Sequence, residues 1–332
     1  MVEVVDTGGL ICGFRLRADG AAEALPWCVD PRSYGVVPGA GEAPLWLHFN
    51  LVDTRADQWI AACERIPPEA RELLLDADPR MHLEPLANGL GGVLGDLHHD
   101  FAEDPEGFGV LRVYVGERII VSGRRHPLES FNRLRRELLG GEVIASPIQW
   151  LAQLVLNLAE TFTAAIAVVN EQVDDAEDRI LVGRVDEEGQ QLGRVRRLLA
   201  RLRRHVGANR QALIHARARL PGWCSDADAA KLRLAIERLD AVAQDLELAQ
   251  ERARLLQEEI AGRLSEATNR NLYLLSIVTA VLLPITLITG VFGMNVAGLP
   301  GLQDPHAFAW VMLLMGVTAV ATLVVLHWRK LF

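Results

Sequence analysis

Residues Asn271 to Asn295 read NLYLLSIVTAVLLPITLITGVFGMN, and the reading of the whole chain turns on them. From Asn271 to Phe292 no side chain is charged. About 22 such residues make a helix able to cross a hydrocarbon core roughly 30 Å thick. A second uncharged run, Ala307 to Leu326, follows, again about 20 residues long. Between them lies VAGLPGLQDPH, a turn-forming loop without Lys or Arg. The pattern predicts a membrane hairpin with spans at 271–292 and 307–327, the first closing in Gly293-Met294-Asn295. Pro284 is expected to kink the first span without ending it, because a membrane helix can re-satisfy freed backbone groups on its neighbours.

Basic flanks give the orientation. Arg263 and Arg270 precede the first span, Arg329 and Lys330 follow the second, and the loop between has neither residue type. Positive charge stays on the cytoplasmic side, so both termini are expected there. Trp310 and Trp328, near opposite ends of the second span, suit the headgroup zone, where amphipathic rings concentrate.

The 332 residues suffice for a soluble part plus this hairpin. A net charge of −9 argues against nucleic acid, whose binders carry a basic footprint. Cys12, Cys28, Cys63 and Cys224 show no CxxC spacing and read as reduced cytosolic thiols. The first residues, MVEVVDTGGL, lack the basic and apolar regions of a signal peptide, and none is expected.

Outward from the hairpin, the chain divides at about 145 and 270. Residues 1–145 mix short apolar runs with Gly and Pro breaks, as an α/β domain does. Leu45 to Leu51 reads as a strand. Leu111 to Val115 and Arg118 to Ser122 read as a hairpin about Gly116-Glu117. Pro127 to Leu139 reads as a helix stopped by Gly140-Gly141. Residues 146–270 are a helical stalk: one helix to about Val182, a second from about Glu187 to Leu220, and a third capped near Ser225 or Asp226. That third helix meets no stop before Gly293, roughly 65 residues and about 100 Å.

Two interleaved sevens run along it: Leu232, Leu239, Leu246, Ala253 and Ile260; and Ala235, Val242, Ala249 and Leu256. Such a seam needs partner helices. Leu234, Ile236, Leu248 and Leu255 fall outside it, so a second apolar face is expected, one face for the chain's own helices and one for other subunits. Leu239 and Leu246 are expected to matter for assembly.

In the first span, Ser276, Thr279, Leu283, Thr286, Gly290 and Gly293 recur at steps of three and four and share one helical face. Extended back, the face reaches Leu275, Leu272 and Asn269. It reads either as small-residue helix packing or as a pore wall, in which Leu272, Leu275 and Leu283 could constrict by dewetting. Asn295 offers an uncharged carbonyl oxygen. Repeated about an axis, it could hold the water shell of a divalent ion without trapping the ion.

Gly293-Met294-Asn295, ending the first of two terminal spans after a proline-containing helix and a long preceding chain, resembles the CorA superfamily of divalent-cation channels and transporters. The resemblance extends through Leu45-Trp46-Leu47-His48, the strand pair Leu111 to Ser122 and the Arg-rich helix after Leu192. The following loop, with Leu299-Pro300-Gly301-Leu302 where magnesium members usually carry Met-Pro-Glu-Leu, is more similar to the ZntB zinc-transporter branch. The resemblance implies an α+β membrane protein of a bacterial inner membrane and a homopentamer whose first spans line the pore. It also implies Gly293, Met294 and Asn295 at the entrance, Zn²⁺ as the transported ion, and no cofactor. The residues alone require only that more than one subunit enclose a pore.

The remaining candidates are weaker. Asp174, Asp175, Glu177 and Asp178, with Asp186, Glu187 and Glu188, crowd the turn before Arg194, Arg196, Arg197, Arg201, Arg203 and Arg204. A salt-bridged, solvated surface is the default, and an acidic turn that concentrates cations is the alternative. His98-His99-Asp100 would point to opposite faces of a strand, which argues against a metal site. Gly89 to Gly95 misses the dinucleotide spacing and reads as a strand with close backbone contacts. No hydrolytic constellation stands out, so no enzyme is expected. A membrane-tethered coiled-coil scaffold is the rival reading, and it gives no reason for the hydroxyl face or Asn295.

Overall fold

The run Leu45-Trp46-Leu47-His48-Phe49 is apolar at nearly every position, as a strand covered on both faces must be. In the computed structural model it is an interior strand of a seven-stranded sheet. Residues 9–17, 19–25, 43–99, 107–181, 188–294 and 306–328 are described. Among them the strands are β1 (Leu10–Leu16), β2 (Ala22–Ala24), β3 (Leu45–Asn50), β4 (His82–Leu86), β5 (Gly89–Leu97), β6 (Phe108–Gly116) and β7 (Ile119–Arg124). The helices are α1 (Thr54–Ala62), α2 (Pro68–Leu75), α3 (Glu129–Leu139), α4 (Pro147–Leu181), α5 (Glu188–Arg217), α6 (Asp226–Phe292) and α7 (Ala307–Trp328). They form two units, Met1–Gln257 and Glu258–Phe332.

The sheet order is β2-β1-β3-β7-β6-β5-β4. β3 and β7 pair in parallel, Leu47 beside Val121, and every other pairing is antiparallel. The expected hairpin forms with Val115 opposite Ile120. β5 is the expected glycine strand: a Cβ on Gly92 would lie 2.1 Å from the His82 carbonyl oxygen. Only the bare backbone lets β4 and β5 approach that closely.

Alternate residues of β3 serve two cores, because successive side chains point to opposite faces. Leu45, Leu47 and Phe49 pack with Ala56, Ile60, Ala70 and Leu74 of α1 and α2. Trp46 and His48 face the other way. The Trp46 ring lies 5.0 Å from Trp150 of α4, and the His48 ring stacks at 3.6 Å on Phe131 of α3. α3 stops where expected, with Gly141 at φ +95, a conformation glycine adopts without steric cost.

α4, α5 and α6 follow the expected helices closely. Ser225 caps α6, its Oγ accepting from Asp228 N at 3.1 Å. The other end of α6 falls at Phe292, immediately before Gly293. One expectation needs correction. Leu232, Leu239, Leu246 and Ala253, with Ala235, Val242, Ala249 and Leu256, are buried within the single chain. Polar ties on both flanks show what covers them: Arg203 to Gln250 at 3.1 Å from α5, and Arg252 to Asp174 at 2.5 Å from α4. The double seven is thus satisfied by the chain's own helices, so Leu239 and Leu246 are core residues and not assembly contacts. Ile236 is also buried, whereas Leu234, Leu248 and Leu255 are 64, 66 and 52% exposed.

Candidate functional site

The candidate face lies on α6 between Asn269 and Gly293. Helical spacing places Ser276, Thr279, Leu283, Thr286 and Gly290 along one side. An open groove of about 720 Å³ follows that side, and Thr279, Leu283, Thr286, Gly290 and Met294 are among its lining residues. Leu272, Leu275 and Leu283 are 56, 63 and 66% exposed. Asn269 is exposed as well. Gly293 N donates to Thr289 O at 2.9 Å and Met294 N to Val291 O at 3.4 Å, so the backbone winds out of the helix there. Asn295 lies outside the described residues, as do the loop acid Asp304 and the flanking Arg329 and Lys330.

The hydroxyls on this face share one arrangement. Ser276 Oγ donates to Leu272 O at 2.8 Å, Thr279 Oγ1 to Leu275 O at 2.8 Å, and Thr286 Oγ1 to Leu282 O at 2.9 Å. A hydroxyl has one hydrogen and two lone pairs. With the hydrogen turned back onto the helix, each oxygen presents only acceptor capacity outward. Water bound to a cation points its hydrogens away from the metal, so acceptors are what such a shell needs. The same helix stretch is uncharged, and none of its apolar window is buried within the chain.

The acidic candidates stand on α4. Asp174, Asp175, Glu177 and Asp178 are exposed. Arg252 contacts Asp174 at 2.5 Å and Glu177 at 3.4 Å, and its own pKa is raised, chiefly through the hydrogen bond to Asp174. A cation at those two carboxylates would have to displace a guanidinium. Among the described residues Asp175 and Asp178 have no such contact. Asp186 and Glu187 lie outside the described residues. Among the described residues no group of three or more His, Cys, Asp or Glu side chains is placed to hold a metal. His98 and His99 diverge, the His98 ring lying 4.9 Å from His126 and His99 meeting Glu129. Asp100 lies outside the described residues.

Two polar clusters in the sheet domain had no usable sequence signal. Trp46 Nε1 donates to Ser122 Oγ at 2.8 Å, and Ser122 Oγ lies 2.8 Å from His48 Nδ1. The serine's remaining hydrogen can go to Nδ1, which leaves the imidazole hydrogen on Nε2. Burial, with Arg124 and Arg135 nearby, holds the His48 pKa well below its ordinary value. Opposite His48 in the sheet, Cys12 has its thiol pushed up to about 12 by burial, so it is no nucleophile. The second cluster is Asp96. It accepts from Leu97 N at 2.7 Å, Ser130 N at 3.1 Å and Ser130 Oγ at 2.7 Å, and so caps α3 from another strand. Burial pushes its carboxyl up to about 7 against those hydrogen bonds.

A family model described as CorA-like Mg2+ transporter protein matches residues 41–330. The chain belongs to the CorA superfamily. Within that superfamily it stands on the ZntB-like branch. It is 28% identical over 290 residues to the zinc transport protein ZntB of Yersinia enterocolitica, covering 87% of each chain. It is 30% identical over 319 residues to the divalent cation transporter CmaX of Pseudomonas aeruginosa, covering 95% of this chain and 94% of that one. The solved structure of full-length CmaX matches with a TM-score of 0.80 over 99% of both chains. The CorA magnesium transporter of Methanocaldococcus jannaschii, at 15% identity and a TM-score of 0.78, shares the fold. The CorA superfamily is one of transporters rather than enzymes, and its α+β architecture with long helices and apolar spans is the one found here.

Proposed function

We propose that this protein carries Zn²⁺ across a bacterial inner membrane, both termini in the cytoplasm, through a pore that its copies build together. Divalent-cation transport follows from membership of the superfamily. The path we assign runs along α6, from Asn269, Leu272 and Leu275 through Ser276, Thr279, Leu283, Thr286 and Gly290 to the entrance at Gly293-Met294-Asn295. The observation that carries this reading is the row of outward acceptor oxygens at Ser276, Thr279 and Thr286, on a face its own chain leaves open.

The mechanism follows from charge and hydration. A divalent ion keeps its water shell where no ligand is strong enough to replace it. The side-chain carbonyl of Asn295, repeated about an axis, accepts hydrogen bonds from that shell without a net charge to bind the ion tightly. Hydroxyl oxygens then hand the hydrated ion along the wall, and rings of leucine between them close the path when water leaves. A pentamer is the assembly we assign, with Leu234, Leu248 and Leu255, exposed on the single chain, turned towards other copies. The zinc preference rests on the loop. Gly301 stands where magnesium members usually carry a glutamate, and Asp304 is the loop's one acid. An entrance with so little negative charge concentrates Mg²⁺ poorly.

Uptake of Zn²⁺ and Mg²⁺ into liposomes holding the purified protein, measured side by side, tests both steps. We expect Zn²⁺ flux that Asn295→Ala lowers at least tenfold. Mg²⁺ flux without Zn²⁺ flux would make it a magnesium or cobalt channel of the CorA type. No flux of either ion would leave a membrane-tethered scaffold, and full flux in the alanine variant would remove Asn295 from the entrance.

A further inference from the structure

A second cavity lies far from the candidate pore in sequence and wholly within the sheet-and-stalk unit. It measures about 370 Å³, inside the range of roughly 300–1,000 Å³ typical of small-molecule sites. It opens where the end of β5, the first turns of α3 and the middle of α4 meet. Its floor is apolar: Leu97, Ala165 and Val169 are buried there, with Leu198 of α5 closing one side. α4 contributes the small side chains of Ala164 and Ala165 to the cavity wall.

The rim is charged, and unequally so. Arg133 and Arg136 stand one turn apart on α3 and both line the opening, against the single carboxylate of Glu129. Arg136 reaches Glu129 at 3.1 Å, while Arg133 holds Glu160 of α4, just outside the cavity, at 2.6 Å. A guanidinium carries five N–H donors in a planar fork, and neither contact uses more than a fraction of them. Thr161, 6% exposed, sets one more polar group in the wall. Ser130 spends its hydrogen on Asp96 at 2.7 Å, so the 3.2 Å contact between Ser130 and Thr161 is donated by Thr161. The Thr161 oxygen keeps both lone pairs.

We propose that this cavity binds a small amphipathic carboxylate, its apolar body on Ala165, Val169 and Leu198 and its carboxylate across Arg133 and Arg136. A carboxylate suits the rim because two guanidiniums one helical turn apart offer paired donors to a planar anion. The apolar floor excludes simple inorganic anions as the best occupants, since burying it gains only from apolar contact. The ligand would touch α3, α4 and α5 together, and so tie the sheet domain to two stalk helices. Nothing in this proposal depends on which ion the protein carries.

Binding of 4-phenylbutyrate to the full-length protein in lipid nanodiscs, with empty nanodiscs subtracted, tests it. The matched probes are 4-phenylbutanol and 4-phenylbutylamine, which keep the body and change the head. Saturable binding of the acid is expected, at least tenfold tighter than either matched probe. Arg133→Gln with Arg136→Gln should weaken it tenfold or more while leaving the melting temperature near that of the parent. Ala165→Phe, which fills the floor, should abolish it. Equal binding of acid and alcohol would overturn the anion assignment. Absence of saturable binding at millimolar acid, or binding indifferent to both the arginine pair and Ala165→Phe, would overturn the site.

Discussion

α4 and the last third of α6 are both helices long and apolar enough to cross a membrane, yet the chain treats them in opposite ways. In α4, 61% of the apolar window is buried by the protein itself; in α6 and α7 none is. The polar residues make the same distinction. Along α4 most of them reach other elements, Gln153 and Asn157 to Glu137 of α3 and Gln149 to Asp228 of α6, while Thr163 Oγ1 donates back to Ala159 O at 2.9 Å. Along the last third of α6 the side-chain hydrogen bonds found for Ser276, Thr279, Thr286 and Thr289 all return to that helix's own backbone. A helix meant for a protein core needs partners for its polar groups from outside itself. One meant for lipid must satisfy them internally. Hydropathy alone does not separate the two cases; side chains that bond to other elements, as Gln149, Gln153 and Asn157 do, mark the core helix.

The same contrast runs around the stalk part of α6, where one side is core and the other open. It can be broken most forcefully there. Leu239→Asp with Leu246→Asp buries two carboxylates without partners, at about 3–5 kcal/mol each, against a whole stability of about 5–15 kcal/mol. The double variant should fail to accumulate as folded protein. Leu248→Asp with Leu255→Asp places its charges on the exposed side, so the subunit should fold with a nearly unchanged melting temperature and lose its oligomer in mild detergent. Equal behaviour of the two pairs, in expression and in oligomeric mass, would erase the distinction between the faces.

That pair of outcomes also marks where the sequence stopped being legible. The seven-residue repeat announced a need for helices alongside α6, but a repeat does not say whose helices they are. Stops and caps were legible because they are local: Gly293 ends α6, Ser225 starts it, and Gly140-Gly141 ends α3. The β6–β7 hairpin was legible through Gly116 for the same reason. The short helices α1 and α2 were not singled out, though Pro67-Pro68 with Glu69 after it is a helix start in hindsight. The parallel pairing of β3 with β7 joins residues more than seventy apart, and no local pattern encodes it. The His48–Ser122 contact depends on that long-range register, and the Asp96–Ser130 contact on the packing of α3 against β5, so both emerged only with the fold. At the candidate pore, the spacing of hydroxyls was in the sequence; the direction of their hydrogens was not.

Acidity sharpens the buried half of the comparison. Asp96 titrates near 7 in the fold and at about 3.9 in an unfolded chain. Between those values the folded protein holds a proton that the unfolded chain has released. Its stability contribution therefore falls as pH rises from about 4 to about 7, and is level above. Three pH steps at about 1.4 kcal/mol each give roughly 4 kcal/mol. His48 acts in the opposite sense. Its folded pKa is lowered, so it costs stability as pH drops below about 6.5. The comparison with Asp96→Asn isolates the carboxyl. Denaturant unfolding at pH 4.5 and 7.5 should show the parent losing several kcal/mol more than the variant across that interval. Parallel pH profiles would mean that the donors at Leu97 and Ser130 keep the carboxyl ionised throughout.

The smallest expected effect concerns the membrane spans, and it compares two with the same chemistry. Thr318 and Thr322 of α7 turn their hydroxyls back onto Leu314 O and Thr318 O at 2.8 Å, as Thr279 and Thr286 of α6 do onto their own helix. If back-bonding served only the helix, valine would be tolerated equally at all four positions, since it has nearly the shape of threonine and a high tolerance for apolar surroundings. If the outward lone pairs serve a hydrated ion, only α6 should care. One acceptor lost to a water shell costs about 1 kcal/mol, which is roughly fivefold in rate. Thr279→Val and Thr286→Val should therefore each lower liposome uptake of the ion several-fold, while Thr318→Val and Thr322→Val stay within twofold of the parent. Equal losses on both helices would assign the hydroxyls to helix packing, and the pore wall would then have to lie on another face of α6.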